Sequence, residues 1–339
     1  MTLLVTGGTG FAMSVVARTW LDQDPANRAV ILDRSGLDAA AQKYFAPVMD
    51  RLTLVQADVL DHTAWEPKLA SLGISAVVHG ATITPISRGS AAEARREPEA
   101  ENPARIMDVN LMGTVRVLDW ARTQAGIRRF VYVSSGSVYR NHGPDWSGEP
   151  LPEDGYVAPL KLYGISKFAS EMVTNRYHDL FGLPAVSVRL ASVYGTMDRA
   201  TESRNFRHVP NRVAHMALAG EVIRPTNTEA VGDYIHVEDV ARAIIALIEA
   251  PRLSYRTYNI GAGEITTIGD FIDYARGKVP GLKWELSPFE TCNIDQNPLL
   301  STGMWGVYDI ARIIADTGWR PRRVREAFHG YMDWIAANE

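Results

Sequence analysis

Three side chains and one glycine turn in this sequence are spaced for chemistry. Tyr163 and Lys167 bracket Tyr163-Gly164-Ile165-Ser166-Lys167, and four residues on a helix put both on one face. An ammonium beside a phenol lowers its pKa, so the tyrosine can exchange a proton near neutral pH. Ser135 closes Phe130-Val131-Tyr132-Val133-Ser134-Ser135, where a hydroxyl at the carboxyl end of a strand can meet a bound substrate. Near the start, Leu3-Leu4-Val5 runs into Thr6-Gly7-Gly8-Thr9-Gly10-Phe11. Gly7 and Gly10 let the backbone approach a pyrophosphate, and the helix opening at Phe11 offers unpaired N–H groups and the positive end of its dipole. Each signal alone is weak: Tyr and Lys share this spacing on many surface helices, and serine-rich turns are common. Their order along one chain is far less expected by chance.

These groups need a scaffold, and the hydrophobic pattern supplies one. Ala29-Val30-Ile31-Leu32, Leu52-Thr53-Leu54-Val55 and Ala76-Val77-Val78 read as further buried strands separated by helical patterns, the alternation of a parallel sheet with helices on both faces. Ligands bind at the carboxyl ends of such strands. Asp33 stands at the tip of the second, where a carboxylate accepts hydrogen bonds from both hydroxyls of an adenosine ribose and so favours NAD over NADP, with Arg34 beside it. Asp58 with Val59, and Gly80-Ala81, are placed to flank the adenine and ribose, and His79 to cap its strand. Met13 occupies the third position of the glycine spacing, where a small residue would let helix and strand pack closely. The stretch Thr84 to Pro103 reads as an exposed insertion at the site mouth, succeeded by a long helix from Pro103 to Gln124 that carries Asn110.

The fold class expected is α/β, a doubly wound parallel sheet of Rossmann type with a smaller C-terminal substrate-binding lobe. Residues 1–195 would form the NAD-binding part, completed by segments around 229–262, and 196–339 mainly the substrate lobe. A chain of 339 residues, 46% hydrophobic, is ample for such a core. Lys and Arg number 35 against 39 Asp and Glu, without a basic stripe, which argues against nucleic acid as a partner. Cys292 is the only cysteine, so a reducing compartment is expected, and His208 and His215 lack companions at metal-ligand spacing. The absence of a charged leader or long apolar segment leads to the expectation of no membrane association and a cytoplasmic location.

With these residues in view, the chain resembles an extended short-chain dehydrogenase/reductase of the NAD-dependent epimerase/dehydratase family over nearly its whole length. The likeness rests on Thr6 to Phe11, Asp33, Asp58, Asn110 in Val-Asn-Leu-Met-Gly-Thr, Ser135 ahead of Val138-Tyr139, and Tyr163 with Lys167. It extends through Arg189-Leu190-Ala191-Ser192-Val193-Tyr194-Gly195, Asp233 to Val240, and Tyr258 to Gly263. The resemblance implies that Tyr163 is the general acid/base and that Lys167 binds the nicotinamide ribose and depresses the tyrosine pKa. By the same likeness Ser135 holds the reacting oxygen, Asn110 supports them, and Leu190 lies along the NAD site. A homodimer through the helices carrying Asn110 and Tyr163 is expected by the same route. Arg199, Arg204, Arg207 and Arg212 resemble the family's substrate loop, which makes Arg204 and Arg207, with Ser137 and Ser192, substrate-binding candidates.

Departures from the family pattern narrow the reaction. Gly136 and Ser137 stand where the family's dehydratases carry acids. Gly232 replaces an arginine that grips the pyrophosphate in nucleotide-sugar epimerases, and no Lys or Arg lies between Lys283 and Arg312. A pyrophosphate lacking charge-assisted contacts is poorly held. The expectation is therefore NAD-dependent oxidation or reduction of a secondary alcohol on a small polyhydroxylated, carbohydrate-like substrate, a sugar or sugar acid. A sugar or nucleotide-sugar epimerase is the first alternative, and a non-catalytic NAD-binding protein the second.

Overall fold

The computed structural model describes residues 1–84, 98–139, 148–199, 208–294 and 306–338. Arg204 and Arg207, and most of the expected insertion before Pro103, lie outside them.

Strands β1 (Thr2–Thr6), β2 (Arg28–Asp33), β3 (Leu52–Gln56), β4 (Ile74–His79), β5 (Arg129–Ser135) and β6 (Ala185–Leu190) appear where the apolar runs place them. Beyond them come β7 (Ser192–Tyr194), β8 (Val231–Gly232), β9 (Tyr234–His236), β10 (Thr257–Ile260) and β11 (Thr266–Thr267). Seven form one parallel sheet in the order β10-β6-β5-β4-β1-β2-β3. Chain direction across the sheet reverses between β1 and β4, so a crevice opens at their carboxyl ends, where doubly wound folds bind nucleotides. The fold is thus the expected Rossmann type.

Alternation within each strand sends side chains to opposite faces. Leu3, Val5 and Ile31 bury under the helices Phe11–Gln23 and Val237–Glu249. Leu4, Val30, Val77 and Phe130 pack on the other face in the same core as Val117 and Leu118 of the helix Gly113–Arg122. A third core gathers Tyr194, Val213, Phe271, Phe328 and Tyr331 from segments after β6, and Trp319 is buried in the first.

The long helix expected from Pro103 to Gln124 is interrupted. Pro103–Met107 is helical, Asp108–Met112 forms a π-helical turn, and Gly113–Arg122 continues as α-helix. A π turn inserts one residue into the ladder and shifts the carbonyl partners within it. Asn110 lies inside it.

Candidate active site

The glycine turn is shaped by what a side chain would strike. Gly7 has φ +72°, and a Cβ there would sit 2.9 Å from the Ala81 backbone. The helix Phe11–Gln23 starts from Gly10 with no side-chain cap and no acid in its first turn, so the positive end of its dipole faces the crevice uncompensated. Asp33 is aimed by two backbone donors: Thr9 N–H reaches Oδ2 and Ser35 N–H reaches Oδ1, each at 3.0 Å. This cradle fits the pyrophosphate and adenosine ribose of NAD.

Met13 has found its space locally. Its Sδ lies 2.4 Å from where a Cβ on Gly80 would stand, so the close approach forgone at the third glycine position is made at the end of β4. Gly80 and Ala81 N–H groups donate to Thr6 Oγ1 at 3.1 and 3.2 Å, which draws the β4 end against the turn. Val59 is buried and fills the space left by Gly113, and Arg34 is exposed. Asp58 pairs with Arg105 at 2.6 Å. Burial raises its carboxyl, but the Leu60 N–H and Arg105 outweigh that and hold it below the ordinary range. Arg199, from the arginine-bearing stretch expected to be a substrate loop, instead reaches Asp38 and the Thr9 carbonyl, at 2.9 and 3.2 Å.

At the reacting end, Ser135 lies level with Leu190 on the neighbouring strand. Ser135 Oγ accepts from Ser137 N–H and donates to Ser137 Oγ, both at 3.2 Å. The helix Leu162–Phe181 carries Tyr163 and Lys167 on one face, as the spacing requires. Lys167 is buried, donates to the Val133 carbonyl at 2.7 Å, and has its Nζ 5.7 Å from the Tyr163 ring centroid. Burial pushes Lys167 down to about 7, against the pull of Glu171. Tyr163 is raised above the usual phenol range by desolvation, which a hydrogen bond with Ser135 only partly offsets. The Ser135 hydroxyl is the neighbour whose hydrogen bond draws the phenol back down.

Asn110 acts through both its ends. Its amide clamps Ile83, accepting from Ile83 N–H at 2.7 Å and donating to the Ile83 carbonyl and Ser166 Oγ at 3.1 Å each. The π turn directs its carbonyl to Thr114 Oγ1 at 2.6 Å and Ser170 Oγ at 3.0 Å. His79 is more than a strand cap. Fully buried, with burial pushing it down to about 3, it bridges Thr6 Oγ1 at 2.7 Å and Thr114 Oγ1 at 3.1 Å. Thr6 Oγ1 already accepts two N–H groups, so its proton goes to His79 Nδ1. Nε2–H then donates to Thr114, and Thr114 to Asn110. A directed chain of hydrogen bonds therefore links the glycine turn to the helix of Tyr163.

Three further groups brace the site. Glu171 lies one turn beyond Lys167 and receives Arg189 Nη2 at 2.8 Å, both side chains under 5% exposed, with Ser134 Oγ as a second donor. Asp233 accepts from Ala262, Gly263 and Tyr308 N–H at 2.6, 3.2 and 3.0 Å, yet burial dominates and raises it to about 6. Ser192 N–H donates to the Asp233 carbonyl at 3.0 Å. Arg189 and Asp233 stand in recognisable motifs and Glu171 at helical spacing from Lys167, but nothing in the sequence ties Tyr308 to the site.

Fold and candidate site together define a doubly wound α/β protein that gathers a serine, a tyrosine and a lysine near the carboxyl end of its fifth strand. The chain matches the NAD dependent epimerase/dehydratase family over residues 3–261 and belongs to it. It is 27% identical to the UDP-glucose 4-epimerase of Corynebacterium glutamicum across 81% of this chain and 80% of that protein. The UDP-glucuronic acid 4-epimerase of Bacillus cereus, solved with UDP-glucuronic acid and NAD, superposes with TM-score 0.76 at 21% identity over all of both chains. A partial-consensus L-threonine 3-dehydrogenase superposes with TM-score 0.78, also at 21% identity over all of both chains. This is an NAD-dependent enzyme of that family. No helix among the described residues is long and apolar enough to cross a membrane.

Proposed function

We propose that the protein oxidises or reduces a secondary alcohol or ketone on a small polyhydroxylated substrate, a sugar or sugar acid, with Tyr163 as general acid/base. Bound NAD supplies the hydride exchange at the substrate carbon. Ser135 holds the reacting oxygen and Tyr163 gives or takes its proton, with Lys167 at the ribose and Asn110 fixing the helix behind them. The observation that carries this reading over a nucleotide-sugar reaction is the engagement of the basic residues. Among the described residues of the substrate side, Arg189 is paired with Glu171, Arg224 with Glu285, Arg312 with Glu153 and Asp154, and Arg322 with Asp239 and Glu238. Each of these four is already paired with a carboxylate, which weakens it as a grip for a pyrophosphate.

Epimerisation of a nucleotide sugar is the second reading, favoured by the sequence likeness to a UDP-glucose 4-epimerase. NADH formation across free sugars, sugar acids and small hydroxy acids separates the two, with nucleotide sugars and their products run alongside. Net NADH from a free polyol or acid supports the first; an isomerised nucleotide sugar without net NADH supports the second. In either case Tyr163→Phe should lower turnover by roughly 10²-fold or more while NAD still binds. Substantial residual turnover would remove Tyr163 from its role. For assembly we propose a homodimer, supported by Met112, Ile165 and Met172 being 43%, 38% and 57% exposed, while Phe168 packs inward. Light scattering giving the monomer mass would refute it.

A further inference from the structure

Position 136 has no side chain, and another residue fills the space. The Tyr308 hydroxyl oxygen lies 1.3 Å from where a Gly136 Cβ would stand, and its Cζ 2.4 Å away. Tyr308 arrives there from a distant part of the chain and is firmly built in. Its N–H donates to Asp233, its segment bridges to Leu151 on both sides, and its ring meets the Tyr139 ring edge-on at 5.6 Å. Tyr139 is in turn fixed by Asn259 at 2.7 Å.

Only 4% of Tyr308 is exposed and among the described residues its hydroxyl makes no hydrogen bond, yet its oxygen is not one of the fully enclosed polar atoms left without a partner, so it borders accessible space. A mostly buried phenol ordinarily finds a partner, and one whose oxygen borders open space can find it in a bound molecule. Its surroundings identify the place. Gly136 comes directly after Ser135, and Tyr163 is near enough to act on the Tyr308 phenol. Ser135, Ser137, Tyr163 and Tyr308 thus form a cluster of hydroxyls at one end of the crevice.

We propose that Tyr308 is a substrate-contacting residue whose hydroxyl, standing where residue 136 would carry a side chain, hydrogen-bonds a second substrate hydroxyl neighbouring the reacting one. Burial above all, and the nearby Tyr139, Asp233 and Tyr163, push this phenol well above the usual tyrosine range despite Arg189. It therefore stays protonated and can donate. The inference rests on the polyhydroxylated-substrate reading and sharpens it: the substrate must carry a second hydroxyl within reach of Tyr308 when its reacting oxygen is at Ser135 and Tyr163.

The test uses the full chain with the best substrate of the panel and its analogue lacking that neighbouring hydroxyl. Tyr308→Phe should lower kcat/KM about tenfold, mostly through KM, with NAD affinity and thermal midpoint unchanged. Wild type should prefer the full substrate over the deoxy analogue by a similar factor, and Tyr308→Phe should lose that preference. Gly136→Ala should mimic the loss, since its methyl displaces the phenol, and Gly136→Ala/Tyr308→Phe should be no worse than Gly136→Ala. Unchanged KM and unchanged discrimination in Tyr308→Phe, with Tyr163→Phe inactive, would overturn the assignment and leave the functional reading standing. A wild type that turns over no polyol or sugar would overturn both.

Discussion

The nucleotide end and the reacting end of the crevice are held by different means. Around the glycine turn the contacts are made largely by backbone N–H groups: Gly7 N–H to the Leu32 carbonyl, Gly10 N–H to the Gly7 carbonyl, Thr9 N–H to Asp33. Around Ser135 and Tyr163 they are made by buried side chains: Glu171 with Arg189, Asp233 with the Tyr308 N–H, Asn259 with Tyr139. A shared backbone cradle suits a cofactor common to many reactions. Side-chain bracing can change one residue at a time, which suits an end where substrates differ.

That contrast can be broken most severely at the buried ion pair. Arg189→Met should cost about 3–5 kcal/mol, because Glu171 is left charged and buried. Urea unfolding measures this, and a loss under about 1 kcal/mol would mean the carboxylate finds other partners. Next comes Lys167. Its folded-state pKa of about 7 lies below the unfolded value, so between the two the unfolded chain binds more protons and stability rises with pH. The stabilisation is complete above the unfolded pKa and is lost as pH falls through about 7. Lys167→Met should flatten this slope, on the order of 3 kcal/mol across the window, in unfolding curves of the apoprotein from about pH 7 to 10. Parallel slopes in the two proteins would show that the amine is charged throughout.

The smallest effect belongs to the backbone-built end. Gly80→Ala should cost about 1–3 kcal/mol by overpacking against Met13, and Met13→Ala should relieve most of it in the double variant. Additive losses would place the strain elsewhere. Thermal melts with and without NAD also report whether the cradle tightens.

The same contrast explains how much of the molecule is legible in its sequence. Strand runs, Gly7, Asp33 and the Tyr163 to Lys167 spacing are local patterns, and the fold can be inferred from them. The electrostatics of that pair are not legible, because they depend on where Lys167 Nζ points, and the Val133 carbonyl on a neighbouring strand decides it. Arg199 shares a stretch with arginines expected to face substrate, but Asp38 and Thr9 draw it across to the nucleotide end. Gly136 is visible in the sequence only as a missing acid; that Tyr308 fills its place requires the chain to have folded.

The π turn at Asn110 carries a consequence for lineage and redesign. Removing one residue between Asp108 and Met112 would restore an ordinary helix, an apparently harmless shortening. It would also rotate the helix before the cut by about 100° relative to the helix beyond it. Asn110 would then face away from Ile83, or its carbonyl away from Thr114 and Ser170. The surplus residue works as a reading-frame marker in three dimensions: substitutions within the turn can drift, but its length is fixed by what stands on either side.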